Sequence, residues 1–254
     1  MKELLLLGGS HQSCLVSYLK DIGAFNNTIK EGYRLKAVGC PDLDLANYVK
    51  IDSNSNIHCG SFDLLAETCV QAYGEPIIKY DPERIICLSI GSWHRATTDP
   101  IWRKYYPVEV EPDLDQIYPI STLEVINRVI LNVNVRLNTI LHLLITQKLN
   151  ILVIIPPPIP LCHQAIVSST PARTVRYIDL LCYKIYVTLL DKYNIKHLDI
   201  TDQALGNDSF LDFNYWLSFK DNHANNKYAA YLWKSILKYF DERNWDPKAF
   251  QRLS

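Results

Sequence analysis

The sequence predicts a three-layer α/β/α sandwich built around a central parallel sheet of about five strands. Two observations predict it: short apolar runs recur along the chain, and between them apolar residues return every three or four positions. The runs are Glu3–Leu7, Arg34–Val38, Arg84–Ile90 and Asn150–Ile155, with His197–Ile200 as a fifth short strand. Ile85-Ile86-Cys87-Leu88-Ser89-Ile90 and Ile151-Leu152-Val153-Ile154-Ile155 carry almost no polar alternation. Strands covered by helices on both faces have that character.

The intervening stretches Gln12–Lys20, Phe62–Tyr73, Thr122–Lys148 and Thr174–Tyr193 have helical spacing and predict the crossover helices. Asn225–Phe240 is amphipathic, with Tyr228, Leu232, Ile236 and Leu237 on one stripe, and packs the C-terminus back onto the sheet. Two stretches fit no regular element: Arg95–Ile120, with Trp102, Tyr105, Tyr106 and several prolines, and Pro156–Pro171, which opens on three consecutive prolines. Both fall after strands, at the sheet edge where open α/β folds bind ligands. Their aromatics either line a site or cap the core beneath a long loop.

Length and composition bound the function. At 254 residues and 48% hydrophobic content, residues 1–254 suffice for one domain with one sizeable core. Lys and Arg number 26 against 27 Asp and Glu, so no cationic surplus exists to neutralise a phosphate backbone or an anionic membrane. Leu4–Leu7 is too short to span a bilayer, and no cleavage-like site follows it. The seven cysteines, Cys14, Cys40, Cys59, Cys69, Cys87, Cys162 and Cys182, are odd in number and lack CxxC spacing. They suit core positions in a reducing, cytoplasmic setting. No pair among the histidines has the i, i+4 spacing of a zinc helix, and neither a metal nor another cofactor is expected.

Chemistry concentrates at the two ends. Leu4-Leu5-Leu6-Leu7-Gly8-Gly9-Ser10 reads as a buried strand ending in two glycines and a serine before a helix. Glycines allow a sharp turn, which would lift the Ser10 hydroxyl above the sheet edge and aim its N–H at the same space. The helix adds the positive end of its dipole, favourable to an oxyanion. Ser10 could also be a plain N-cap. A dinucleotide turn is the other reading, although the segment lacks the third glycine of GxGxxG. Near the far end, Asp221-Asn222-His223 precedes the last helix. A serine hydroxyl needs a base such as imidazole, and a carboxylate commonly orients that imidazole.

Together these segments resemble the SGNH (GDSL-like) hydrolases, whose flavodoxin-like order most of the chain follows. The resemblance implies Ser10 as nucleophile, His223 as base and Asp221 as its orienting carboxylate. It implies Gly60, in Cys59-Gly60-Ser61, as a backbone oxyanion donor beside the Ser10 N–H. The family's third block, Gly-x-Asn, falls on Gly91-Ser92-Trp93-His94, where Trp93 stands in place of the asparagine. Losing such a donor typically costs about two to three orders of magnitude in rate. Ser92, His94 or the Trp93 indole are the replacements at hand, and His11, Trp93 and Arg95 are candidates for lining the substrate. The fourth block departs as well, because only Asn222 separates Asp221 from His223.

The expected activity is acyl-ester hydrolysis, or acyl transfer, through an acyl-Ser10 intermediate on a small-molecule or carbohydrate ester. The altered third and fourth blocks motivate the alternative of a module that binds a carbohydrate or acyl ligand without turnover. Acceptor, acyl group and oligomeric state are not encoded in any motif of the chain.

Overall fold

The computed structural model describes residues 2–26, 28–30, 32–39, 49–60, 63–89, 94–113, 115–131, 148–208, 210–218 and 221–247. Its centre is a six-stranded sheet made of β1 (Glu3–Gly8), β2 (Thr28–Lys30), β3 (Tyr33–Gly39), β4 (Ile85–Ser89), β5 (Asn150–Ile154) and β6 (His197–Leu198). The spatial order is β6-β5-β4-β1-β3-β2. Five strands run parallel, as predicted, and the short β2 adds an antiparallel edge beside Tyr33 and Arg34.

The uninterrupted apolar runs are explained by the two faces they supply. In β1, Leu5 and Leu7 point into one core and Leu4 and Leu6 into the other, and all four are almost wholly buried. Side chains alternate along a strand, so a strand with helices on both sides must be apolar at every position. Helices α1 (Ser10–Asp21) and α4 (Asn226–Asp241) cover the Leu4/Leu6 face with Leu15, Leu19, Tyr228, Leu232 and Ile236. Helices α2 (Asp63–Tyr73) and α3 (Ala172–Lys192) cover the other with Leu65, Cys69, Ile178, Cys182, Tyr186 and Leu190. A further helix runs over 122–131 and buries Val125 and Val129 in that second core; the rest of the helix expected to Lys148 lies outside the described residues.

Arg95–Ile120 is more regular than its prolines suggested. It holds a turn of helix at His94–Thr97, a 3-10 turn at Pro100–Arg103 and a parallel ribbon pairing Tyr105–Pro107 with Tyr118–Ile120. Trp102 is 1% exposed, packs into the core and donates its indole N–H to the Ala96 carbonyl at 2.7 Å. It therefore caps the core. Buried Gln116 fixes the ribbon by donating to the carbonyls of Trp102 (2.7 Å) and Tyr105 (3.0 Å) and to the Thr174 hydroxyl of α3 (3.1 Å). Pro156–Pro171 contains a single helical turn, Gln164–Val167. Among the described residues no helix is long and apolar enough to cross a membrane.

Candidate active site

The strand order reverses at β1. The chain moves from β1 to β3 on one side, then returns to β4 on the other. Such a switch point opens a crevice beyond the carboxyl ends of the two strands, here just past Gly8 and Ser89. Gly8 is required there for space rather than for an unusual backbone angle. A Cβ on it would lie 2.3 Å from the Ser89 carbonyl oxygen and 2.4 Å from Gln12 Oε1. The next residue, Gly9, donates its N–H to the same Ser89 oxygen at 3.3 Å and accepts from the Gln12 N–H at 2.9 Å.

This settles one alternative for Ser10. Gly9 occupies the cap position, with no side-chain cap bond, and Ser10 is the first residue of α1. Its backbone N–H thus belongs to the set at a helix start that has no intrahelical acceptor. Cys14, one turn further along α1, is no rival nucleophile: burial pushes its thiol up to about 11. Burial likewise raises the Cys87 thiol in β4.

Gly60 follows the strand Ile57–His58 and precedes α2. Thr68 of α2 bonds to both the N–H and the carbonyl of Gly39, at 3.1 Å each, where β3 ends. The helix runs back between parallel strands, so its first turn projects about 7 Å beyond that edge. Gly60 is exposed, with open space where a Cβ would be, and the N–H of Cys59 before it donates to the Pro76 carbonyl at 2.9 Å. Leu64 of that first turn lines one cavity together with Gly8 and Gly9.

His223 is half-buried on the strand Asp221–Ala224, which pairs antiparallel with Trp216–Ser218. Asn225 anchors this ribbon to α4. Its Oδ1 caps the helix at the N–H groups of Lys227 (2.9 Å) and Tyr228 (3.2 Å), while its Nδ2 donates to the carbonyls of Asn214 and Trp216. The strand packs against α1, and Asn226 donates to Asp21 at 3.4 Å. That contact lies at the end of α1 opposite Ser10, about 16 Å away along the helix.

Ser92 and Trp93 lie outside the described residues, as do the side chains of Ser10, His11, His94, Arg95 and Asp221. The described part of the site is therefore its backbone frame. Among the described residues no cluster of three or more His, Cys, Asp or Glu side chains forms a metal site.

The chain as a whole has counterparts among solved structures. A GDSL-like lipase from Bacteroides thetaiotaomicron matches it with a TM-score of 0.52 over 95% of this chain and 89% of that chain, at 8% identity. The fold is that of the GDSL-like lipases. A lipase/acylhydrolase from Enterococcus faecalis is also similar, with a TM-score of 0.48 and 13% identity over 96% of this chain and 97% of that one. So is an extracellular lipase from Streptomyces rimosus, at 0.48 and 8% over 94% and 99%. No protein-family model and no curated protein matches the chain.

Within the GDSL-like fold, sequence reasoning overlooked Gln12. This side chain is 4% exposed, and among the described residues neither its Oε1 nor its Nε2 has a hydrogen-bond partner. A signal was present: Gln12 shares a helical stripe with Leu15, Val16 and Leu19, so a polar residue stands where α1 asks for an apolar one.

Proposed function

We propose that the protein is a serine-dependent acyl-ester hydrolase or acyltransferase acting through an acyl-Ser10 intermediate. The observation that carries this reading is the Gly8-Gly9-Ser10 turn at the switch point, with Ser10 opening α1 rather than capping it. In the first step the Ser10 oxygen attacks the ester carbonyl and passes its proton to the His223 imidazole. The bond to the alcohol then breaks, and the imidazolium protonates the departing oxygen. In the second step water, or an acceptor alcohol, repeats the sequence in reverse and frees Ser10. Asp221 orients the imidazole, and the Ser10 and Gly60 N–H groups receive the oxyanion, with Ser92 or His94 in the role of the missing asparagine. The odd number of cysteines and their lack of CxxC spacing support a reducing, cytoplasmic setting.

A second reading, ligand binding without turnover, is favoured by Trp93 in the asparagine position and by the shortened Asp221–His223 spacing. Hydrolysis of p-nitrophenyl acetate separates the two. The enzyme reading expects turnover that falls by about 10³-fold or more in His223→Ala, because base and nucleophile act as a unit. Turnover equal in His223→Ala and wild type would remove His223 from the mechanism; no turnover by folded wild type would favour the binding module.

A further inference from the structure

A cavity of about 700 Å³ opens between α1 and α2, and Leu35, Lys36 and Ala37 of β3 all line it. Its volume suits a small ligand or a short peptide. The side chain of Leu35 packs on the α1 face of the sheet, whereas that of Lys36 lies on the α2 face, with its Nζ 3.8 Å from the centre of the Tyr73 ring. Consecutive residues that point to opposite faces border one cavity only along the backbone edge they share. That edge is open between two stops. β2 pairs with β3 at Tyr33 and Arg34 alone, and beyond Val38 the Thr68 hydroxyl meets both the N–H and the carbonyl of Gly39.

The ladder fixes which backbone groups face outward. Arg34 donates its N–H to the Lys2 carbonyl at 2.9 Å, on the β1 side. Backbone groups alternate sides along a strand, so those of Lys36 and Val38 also face β1, while those of Leu35 and Ala37 face the cavity, as those of Gly39 face Thr68. Among the described residues the Leu35 carbonyl and the N–H and carbonyl of Ala37 have no hydrogen-bond partner. An alkyl chain laid along them would strip their water and return no bond. An extended peptide returns all three, by the kind of pairing that β2 already makes with this strand.

We propose that the open edge of β3 receives an extended peptide segment, which adds to the sheet antiparallel, as β2 does, in the groove between α1 and α2. Residues directly opposite one another share a face, so the two that face Leu35 and Ala37 turn toward Val16 and Phe25 and are apolar. The residue between them faces Lys36. Glu3 lies 3.6 Å from Lys36 and is also bonded to Arg84, so two cations share one carboxylate and favour an acidic residue there. Exposed Lys20 in the same groove adds to that sign. Helices stand on both sides of the edge, so a thin free segment fits where the edge of a second folded copy does not. The groove extends to Gly8 and Gly9, which places one end of a bound segment at the switch point; the binding itself does not depend on the acyl-Ser10 reading.

The test titrates the protein into the fluorescein-labelled pentapeptide amide Thr-Val-Glu-Val-Thr and follows its anisotropy. In the antiparallel pairing the two valine N–H groups point at β3 and the glutamate N–H points away. Saturable binding is therefore expected, weakened about tenfold or more when both valine nitrogens are methylated and less than about threefold when only the glutamate nitrogen is. Ala37→Pro should abolish binding, because it removes the outward N–H and leaves the β1 ladder intact. If that variant does not fold, Val16→Trp, which narrows the groove from α1, must weaken binding about tenfold. No saturable binding, equal affinity for the two methylated peptides, or a protein dimer in sedimentation that Ala37→Pro dissolves would overturn the proposal. Peptide binding without turnover of p-nitrophenyl acetate would keep the groove and sink the esterase reading; turnover without peptide binding would do the reverse.

Discussion

Ser10→Ala is expected to lower hydrolysis of p-nitrophenyl acetate by about 10³-fold or more relative to wild type. The substitution removes the proposed nucleophile, while alanine is well suited to the first turn of a helix. Gly9, not residue 10, occupies the cap position. The far-ultraviolet spectrum and thermal midpoint should therefore stay close to wild type while turnover collapses. What survives would be the rate that oxyanion donors and binding supply alone. A fall of less than about tenfold in a folded variant would move the nucleophile elsewhere.

The second large effect concerns stability. Gly8→Ala is expected to cost about 3 kcal/mol or more in chemical denaturation, because its Cβ would sit 2.3 Å from a backbone oxygen that cannot rotate away. Ser89 pairs with Gly8 in the β1–β4 register, so relief requires the two central strands to part. Their separation would also displace Gly9 and Ser10, and activity should fall with stability. Gly60→Ala is the control for stability, since nothing lies within 4 Å of the position its Cβ would take and its backbone needs no left-handed angle. Its denaturation midpoint should stay within about 0.5 kcal/mol of wild type, as for open surface sites. Equal stabilities for the two variants would contradict the close approach at the switch point.

The legible parts of the sequence were those with redundant signals. All five parallel strands could be read because burial on both faces left β1, β4 and β5 without polar interruption. The antiparallel β2 has three residues, Thr28–Lys30, too few for any periodicity, and was missed. The Tyr105–Pro107 and Tyr118–Ile120 ribbon was missed because each of its strands contains a proline, normally a mark against strand. Parallel pairing at this two-stranded edge leaves room for them. Trp102 shows the same competition, since the sequence allowed either a site or a core role and the hydrogen bond to Ala96 fixes the second. In the site, the Gly8-Gly9-Ser10 turn announced itself through composition. Gln12 did not, because a single polar residue on an apolar stripe acquires meaning only once its buried, unpaired state is visible.

The most direct test of the central claim is intact-protein and peptide mass spectrometry after incubation with a fluorophosphonate, a reagent that phosphonylates activated serines. The account predicts one adduct per chain, located on the peptide holding Ser10 and abolished in both Ser10→Ala and His223→Ala. An unlabelled but folded wild type, or an adduct on any other residue, would contradict it.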